Sequence, residues 1–165
     1  RFAKKHSELP SEFILIHSSG KTDYTPNKEV GSSIFQSIVQ AVPGAPFLQV
    51  GMANDPPLAG CVDYRGQTRD LRELFYLISK TKAVVCQEGA YNHLASALNV
   101  PAVTLFTGFS PPAATSYETT HAVQARPLPP CSPCMLKRRC PHGMACVHRD
   151  LAFQAASSLR KILGS

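Results

Sequence analysis

Residues 83–98 read AVVCQEGAYNHLASAL, and this stretch decides the fold. The run Ala83–Gln87 is short, continuous and apolar, which predicts a buried β-strand. A helix over about Tyr91–Leu98 follows almost at once, because small and apolar residues recur there without a breaker. The turn at Glu88 and Gly89 therefore joins the carboxyl end of a strand to the amino end of a helix.

The same alternation continues on both sides of this stretch. Three further apolar runs predict strands, and two amphipathic segments with apolar residues three and four apart predict helices. The strands are Phe13–His17, Phe47–Val50 and Pro101–Phe106, and the helices are Gly31–Val42 and Asp70–Lys80, the second with Leu71, Leu74, Phe75 and Ile78 on its buried side. Short apolar strands that alternate with helices predict an α/β fold, a doubly wound, Rossmann-like parallel sheet covered on both faces. Ligands of such sheets bind outside the carboxyl ends of the strands.

The last third of the chain has a different character. A strand over 121–125 is followed by a proline- and cysteine-rich insertion at about 127–149, and a final helix at 151–163 packs back on the domain. The 165 residues, of which 44% are hydrophobic and 17% charged, fit one domain, so we expect residues 1–165 to form a single unit. The first residue is Arg1, not methionine, and we expect a segment of a longer protein.

The turn at Glu88 and Gly89 is the strongest candidate for chemistry. Amides at a helix start are unpaired and the helix dipole is positive there, so a phosphate is a natural partner, and Gly89 allows it to approach the backbone. Glu88 would repel a phosphate and is expected to accept hydrogen bonds from sugar or ribose hydroxyls. His93, one turn into the helix, is expected to face the same crevice. The spacing alone fits equally well a tight turn that Glu88 caps, with His93 in a core hydrogen bond.

A second candidate follows the first strand. Ser18-Ser19-Gly20-Lys21, with Lys28 further on, offers hydroxyls, a glycine and positive charge that suit a phosphate cradle. The spacing of a Walker A loop is absent. A polar surface turn accounts for the same residues.

Four of the six cysteines form a cluster: Cys131, Cys134, Cys140 and Cys146. Four thiolates within sixteen residues can complete a tetrahedral zinc or iron site, whose role would be structural because no coordination position stays open. Disulfides in an oxidising setting and reduced thiols in a surface loop are the alternatives. Cys86 lies in an apolar run and is expected to behave as a small hydrophobic residue.

The stretch EGAYNHLASALNVP, residues 88–101, followed by VTLFTG, residues 103–108, resembles the carboxyl-terminal domain of glycosyltransferase family 9, the ADP-heptose:lipopolysaccharide heptosyltransferases. The segment Gly66–Leu74 is similar to the approach to that motif in the family. The likeness runs from about Phe13 to the final helix. Where the family often has an aspartate, a hydroxyl residue and a glycine, this chain has Glu88, Gly89 and Ala90.

The resemblance implies a GT-B enzyme with an inverting, metal-independent mechanism and a nucleotide-diphosphate sugar, typically ADP-heptose, as donor. It also implies the donor-binding residues by position: Ser18, Ser19 and Lys28 near the phosphates, Asp55 near the nucleoside, and Glu88, Gly89 and His93 around the diphosphate and sugar. The general base and the acceptor site of the family belong to an amino-terminal domain, so the chain alone is expected to bind donor without transferring the sugar. A looser likeness links the cysteine cluster to the iron finger of autotransporter heptosyltransferases.

The net charge of +6 favours anionic partners such as phosphates, nucleic acid or an anionic membrane surface. No run of about 20 apolar residues predicts a transmembrane helix. The resemblance implies a cytoplasmic protein of lipopolysaccharide biosynthesis with peripheral contact to the inner membrane. The alternative class is a nucleic-acid or partner-binding module that uses the basic Lys137–Arg139 run of the cysteine finger. That run lacks interleaved aromatic residues, so nucleic acid is the less favoured partner. A sugar-nucleotide epimerase of GT-B architecture is a third alternative.

Overall fold

A wholly parallel, six-stranded sheet runs through the centre of the computed structural model, which describes residues 9–20 and 23–164. Lys21, part of the predicted phosphate cradle, lies outside the described residues. The strands are β1 (Ile14–His17), β2 (Phe47–Gln49), β3 (Cys61–Asp63), β4 (Ala83–Gln87), β5 (Ala102–Phe106) and β6 (Thr120–Gln124). Their order across the sheet is β3-β2-β1-β4-β5-β6. This order confirms the predicted doubly wound α/β fold.

The strand order reverses between β1 and β4. The chain builds outward from β1 through β2 to β3, then crosses back so that β4 pairs with the other side of β1, in the register Ile14 to Ala83. Loops leaving the carboxyl ends of β1 and β4 diverge to opposite faces of the sheet, which opens a crevice at this switch point. The fold therefore places the turns after His17 and Gln87 side by side.

In the described part of the chain, four α-helices cover the two faces of the sheet: α1 (Ser32–Ala41), α2 (Leu71–Ile78), α3 (Ala90–Ala97) and α4 (Asp150–Leu163). Side chains of β1 alternate between two cores, so that Ile14 and Ile16 pack with α1 and α4 while Leu15 packs with α2 and α3. The final helix returns to the domain as predicted, and its Leu159 is fully buried.

The predicted buried side of α2 is partly wrong. Asp70 caps the helix by accepting a hydrogen bond from the Glu73 amide at 3.0 Å, so Leu71 is the first helical residue. From that position Leu71 points outward and is 57% exposed, whereas Leu77 takes the inner position and is 1% exposed. The predicted Ile78 is buried.

Residues 127–149 contain neither a helix nor a strand. We call this segment the cysteine loop. It lies over the turn that follows β5, because the amides of Cys134 and Met135 donate to the carbonyl oxygens of Gly108 and Phe109 at 3.0 and 3.1 Å. A side chain at Gly108 would collide with this loop, since a Cβ there would lie 2.1 Å from Ser132 Oγ.

Candidate functional site

A crevice of about 390 Å³ opens at the switch point, beyond the carboxyl ends of β1 and β4. Five of the seven predicted donor-binding residues line it: Ser19, Lys28, Asp55, Glu88 and Gly89. They come from four separate parts of the chain, and the strand order brings them together. The remaining two, Ser18 and His93, do not line the crevice.

Lys28 and Glu88 form an ion pair in the crevice. The lysine Nζ lies 2.8 Å from Glu88 Oε1, and it also lies 5.0 Å from the centre of the Phe109 ring. The Glu88 side chain is only 4% exposed, against 23% for Lys28. A carboxylate buried this deeply needs partners, because an unpaired buried charge is costly. The Lys28 ammonium therefore lies on the side of the opening, and the Glu88 carboxylate lies behind it.

Two hydroxyl groups complete the environment of Glu88. Ser110 Oγ donates to Glu88 Oε2 at 2.6 Å, and Thr115 Oγ1 donates to Glu88 Oε1 at 3.3 Å. Both residues follow β5, which lies beside β4 in the sheet. The segment after β5 therefore fixes Glu88, which follows β4. The sequence singled out neither hydroxyl. Ser110 lies in the turn after β5, at the edge of the sheet where the carboxyl ends of the strands meet. This position after a predicted strand could have marked it as a candidate site residue.

Gly89 caps the amino end of α3, and the helix begins at Ala90. A Cβ placed on Gly89 would meet only the Gln87 carbonyl oxygen, at 3.9 Å, so the backbone faces open space on its crevice side. The first amides of a helix have no partner within the helix and carry its positive dipole end. An anion in the crevice could therefore reach both these amides and Lys28.

His17 ends β1 and stacks on Tyr91 at the wall of the crevice. The ring centroids are 3.9 Å apart and the planes differ by 19°. Burial lowers the pKa of His17 to about 4, and the nearby Asp55 opposes that shift. Burial raises the pKa of Tyr91 in turn. The crevice therefore presents a neutral aromatic wall at neutral pH, a feature that the sequence reading did not include.

Asp55 lines the crevice from the turn that follows β2. Its Oδ2 accepts a hydrogen bond from the Met52 amide at 2.8 Å, which closes the turn after β2, and its carbonyl oxygen accepts one from the Arg65 guanidinium. These two hydrogen bonds fix Asp55 in the wall of the crevice.

Ser18 and Ser19 have different surroundings. Ser18 is 1% exposed, and its Oγ accepts a hydrogen bond from Gln49 Nε2 at 3.4 Å, beneath the crevice. Ser19 faces the opening together with Gly20. Gly20 packs tightly on the strand end, since a Cβ there would lie 2.2 Å from Gln87 Nε2.

His93 does not face the crevice as the sequence suggested. It is exposed, and its Nδ1 lies 2.6 Å from the Tyr117 hydroxyl. The reason is that the side chain of the preceding residue, Asn92, points into the domain. Asn92 is fully buried, accepts a hydrogen bond from Thr104 Oγ1 at 2.9 Å and donates one to the Thr115 carbonyl. Because successive helical residues turn by about 100°, an inward Asn92 sends His93 toward Tyr117.

The four clustered cysteines surround one small cavity of about 10 Å³. Cys131 is exposed, Cys134 and Cys140 are half-buried, and Cys146 is buried, with burial raising the pKa of its thiol. Within residues 9–20 and 23–164, no three His, Cys, Asp or Glu side chains are placed as a metal-ligand set. In the same cavity wall, the buried Ser132 hydroxyl has no hydrogen-bond partner in the described part of the chain. Cys86 is fully buried, as predicted.

The arrangement suits a ligand with a diphosphate and several hydroxyl groups. Its described residues offer Lys28 and the amides of a helix start for the anion, and carboxylate oxygens for the hydroxyls. No helix among the described residues is long and apolar enough to span a membrane.

Solved structures show the same fold in known glycosyltransferases. TibC from enterotoxigenic E. coli H10407, an iron-containing dodecameric glycosyltransferase, aligns over 95% of this chain and 47% of its own, with a TM-score of 0.72 and 18% identity. E. coli ADP-heptose lipopolysaccharide heptosyltransferase II aligns over 99% and 51%, with a TM-score of 0.70 and 16% identity. A family 9 glycosyl transferase from Veillonella parvula DSM 2008 aligns over 99% and 50%, with a TM-score of 0.61 and 16% identity. The chain spans about half the length of these proteins.

No curated protein sequence matches the chain significantly. The model of glycosyltransferase family 9 (heptosyltransferase) matches residues 57–144, which run from the turn after β2 into the cysteine loop and include the turn at Glu88 and Gly89. This match covers more than half of the 165 residues. The chain therefore belongs to glycosyltransferase family 9, the heptosyltransferase family.

Proposed function

We propose that this chain is the donor-binding part of an inverting glycosyltransferase. It holds a nucleotide-diphosphate sugar, and the sugar passes to a lipopolysaccharide or another glycan or protein acceptor. The observation that carries the proposal is the Lys28–Glu88 pair at the start of α3, in the switch-point crevice. A lysine beside the first amides of a helix supports the binding of a diphosphate here.

In this proposal the diphosphate lies between Lys28 and the first amides of α3. Transfer of the sugar leaves negative charge on the nucleoside diphosphate, and a fixed cation with fixed amides stabilises that charge without reorganisation. Glu88 accepts hydrogen bonds from sugar hydroxyls. Asp55 does the same for the ribose, and Ser19 donates to a phosphate oxygen.

ADP-heptose is the donor we favour. TibC has been solved in complex with ADP-D-beta-D-heptose, and TibC shares the fold of this chain. The neutral stack of His17 on Tyr91 gives a flat surface at the crevice wall, which suits the planar base or the apolar face of a sugar ring. We place the protein in the cytoplasm, with peripheral contact to the inner membrane.

The acceptor site and the general base are proposed to belong to an amino-terminal domain of the same enzyme. A base that deprotonates the acceptor hydroxyl completes the chemistry, and we assign that role to no residue of this chain. The chain by itself then binds donor but does not transfer the sugar.

We also propose a structural zinc or iron ion in the cysteine loop, held by Cys131, Cys134, Cys140 and Cys146. Three observations support the proposal: all four thiols border one cavity, the Ser132 hydroxyl beside them is buried without a partner among the described residues, and TibC, which shares the fold, contains iron. Because the described residues place no three of these side chains as a ligand set, the ion would have to draw the four thiolates together. The ion would fix the loop and take no part in the transfer. Elemental analysis of protein purified under reducing conditions tests this, with Cys134→Ser expected to lose the metal and Cys61→Ser expected to keep it.

Isothermal titration with ADP-heptose, a GDP-sugar and a UDP-sugar tests the donor proposal, combined with product analysis in the presence of a glycan acceptor. We expect micromolar binding of one donor and no transfer by the chain alone. Robust transfer without a partner domain, or folded protein that binds none of the three, would overturn it.

A further inference from the structure

Asn27 lies between the crevice lysine and the cysteine loop. It is the middle residue of the short 3-10 helix Pro26–Lys28 and is 3% exposed. Its Nδ2 donates to two carbonyl oxygens of the loop, those of Leu136 and Arg138, both at 2.8 Å. Both amide hydrogens are therefore used, and both bonds reach the same loop.

The backbone of Asn27 is anchored from the other side. Its carbonyl oxygen accepts a hydrogen bond from Thr107 Oγ1 at 2.6 Å, and the Phe109 amide donates to the same Oγ1 at 3.2 Å. Thr107 directly follows β5. Asn27 therefore joins the 3-10 helix to the cysteine loop through its side chain, and to the end of a sheet strand through its carbonyl oxygen.

The cysteine loop is itself fixed to that turn by the bonds from Cys134 and Met135 to Gly108 and Phe109. Three segments thus hold one another: the 3-10 helix, the turn after β5, and the loop. Lys28 is the residue of this assembly whose side chain enters the crevice, where it meets Phe109 and Glu88.

The backbone anchor is relevant to Lys28 because its four-carbon side chain is flexible and adds its own entropy cost when a ligand holds it. If the backbone of Lys28 is already anchored, a bound ligand has only the lysine side chain left to order. Loss of the Asn27 amide would leave two loop carbonyl oxygens without their donor and would free the 3-10 helix from the loop.

We propose that Asn27 is a positioning residue through which the cysteine loop sets Lys28 for the donor diphosphate. The role of Lys28 in this inference rests on the proposed function. The anchoring of the 3-10 helix by the cysteine loop does not depend on the proposed function. The cysteine loop is then a support for the donor site, although none of its residues lines the crevice.

The chain offers a matched control in Gln36 on α1. Its side-chain amide also bridges a loop backbone, donating to the Ala59 carbonyl at 3.0 Å and accepting from the Ala59 amide at 2.7 Å, but it does not touch Lys28. Asn27→Ala and Gln36→Ala each remove one such bridge. Asn27→Asp, which keeps the shape and loses the donors, replaces Asn27→Ala if the latter does not fold.

Hydrogen exchange of residues 25–30 tests the anchoring without any ligand. The amides of Lys28 and Glu29 are bonded to the carbonyl oxygens of Thr25 and Pro26 and report on the 3-10 helix. We expect exchange there to accelerate about tenfold in Asn27→Ala, with β4 and the Gln36→Ala variant unchanged. Unchanged exchange in Asn27→Ala would overturn the proposal.

A double-mutant cycle with Lys28→Met tests the positioning. Asn27→Ala should weaken ADP binding about tenfold when Lys28 is present and less than about twofold in the Lys28→Met background. Equal losses in both backgrounds would show a general structural effect and overturn the positioning role. If the unsubstituted chain binds no nucleotide, the proposed function fails and the positioning role fails with it, whereas the exchange comparison still decides the anchoring.

Discussion

Glu88 is more deeply buried than the lysine that neutralises it. Its carboxylate accepts hydrogen bonds from Lys28, Ser110 and Thr115, whereas the Lys28 ammonium reaches the opening of the crevice. The acid is therefore part of the framework of the turn after β4, and the lysine is the exposed partner. A ligand phosphate can share the ammonium without displacing Glu88 from its hydroxyl partners.

This asymmetry predicts unequal effects on stability. Lys28→Met leaves a buried carboxylate without its counter-charge, and we expect a loss of about 3 kcal/mol in the free energy of unfolding. Glu88→Gln leaves a partly exposed ammonium that water can reach, and we expect a loss of about 1 kcal/mol. Urea unfolding of the two variants at neutral pH measures both. A larger loss for Glu88→Gln would contradict the assignment of Glu88 as the buried partner.

Gly89→Ala should weaken ligand binding while leaving the stability of the fold nearly unchanged. A Cβ at this position has room in the protein, so stability should change by less than about 1 kcal/mol. The added methyl group occupies the space through which a phosphate would approach the α3 amides, and we expect ADP binding to weaken about tenfold or more. Calorimetry and thermal unfolding of the same preparation give both numbers. Undiminished ADP affinity would place the phosphate elsewhere.

His17 predicts a pH dependence of stability. Its pKa is lowered from 6.5 to about 4 in the folded state, so between these values the unfolded chain binds the proton and the folded chain does not. Stability should therefore fall as the pH drops through this window, by up to about 3 kcal/mol from this residue.

His17→Phe is the control, because it keeps an aromatic ring against Tyr91 and has no titrating group. Unfolding free energies of both proteins at several pH values give the difference. Parallel pH profiles for the two proteins would show that His17 is not buried in its neutral form.

Gly108→Ala should disturb the cysteine loop. A Cβ there would lie 2.1 Å from Ser132 Oγ and 3.0 Å from Cys146 Cβ, so we expect a loss of about 1–3 kcal/mol and faster alkylation of the buried Cys146. Adding Ser132→Ala removes the closer clash and should restore part of the stability. Wild-type stability and Cys146 reactivity in Gly108→Ala would mean that the loop does not pack against this turn.

The central part of the fold was predictable because its signal is local. Ala83–Gln87 was predicted with the bounds that the structure has, β5 begins one residue later than predicted, and β6 is shifted by one residue at both ends. β3 was not predicted, because it has three residues, two of them exposed, and exists through its pairing with β2. No apolar run marks such an edge strand.

The candidate site was predictable where residues lie in the segments that follow the carboxyl ends of the strands. Lys28, Glu88 and Gly89 were singled out and meet in one crevice. Asn27 was not, because its partners lie 109 and 111 positions away and a polar residue after a proline is typical of a surface turn. The direction of His93 was misjudged because it depends on the bond between Asn92 and Thr104, which the sequence does not display.

The measurement that tests the central claim most directly is calorimetric titration of the chain, Lys28→Met and Glu88→Gln with ADP and with ADP-heptose. If the Lys28–Glu88 pair at the start of α3 is the donor site, Lys28→Met weakens both ligands about tenfold or more. Glu88→Gln then leaves ADP binding equal or tighter, since a negative charge is removed, but loses the added affinity for the sugar. Equal affinities in all three proteins, or no binding by the folded chain, would contradict the account.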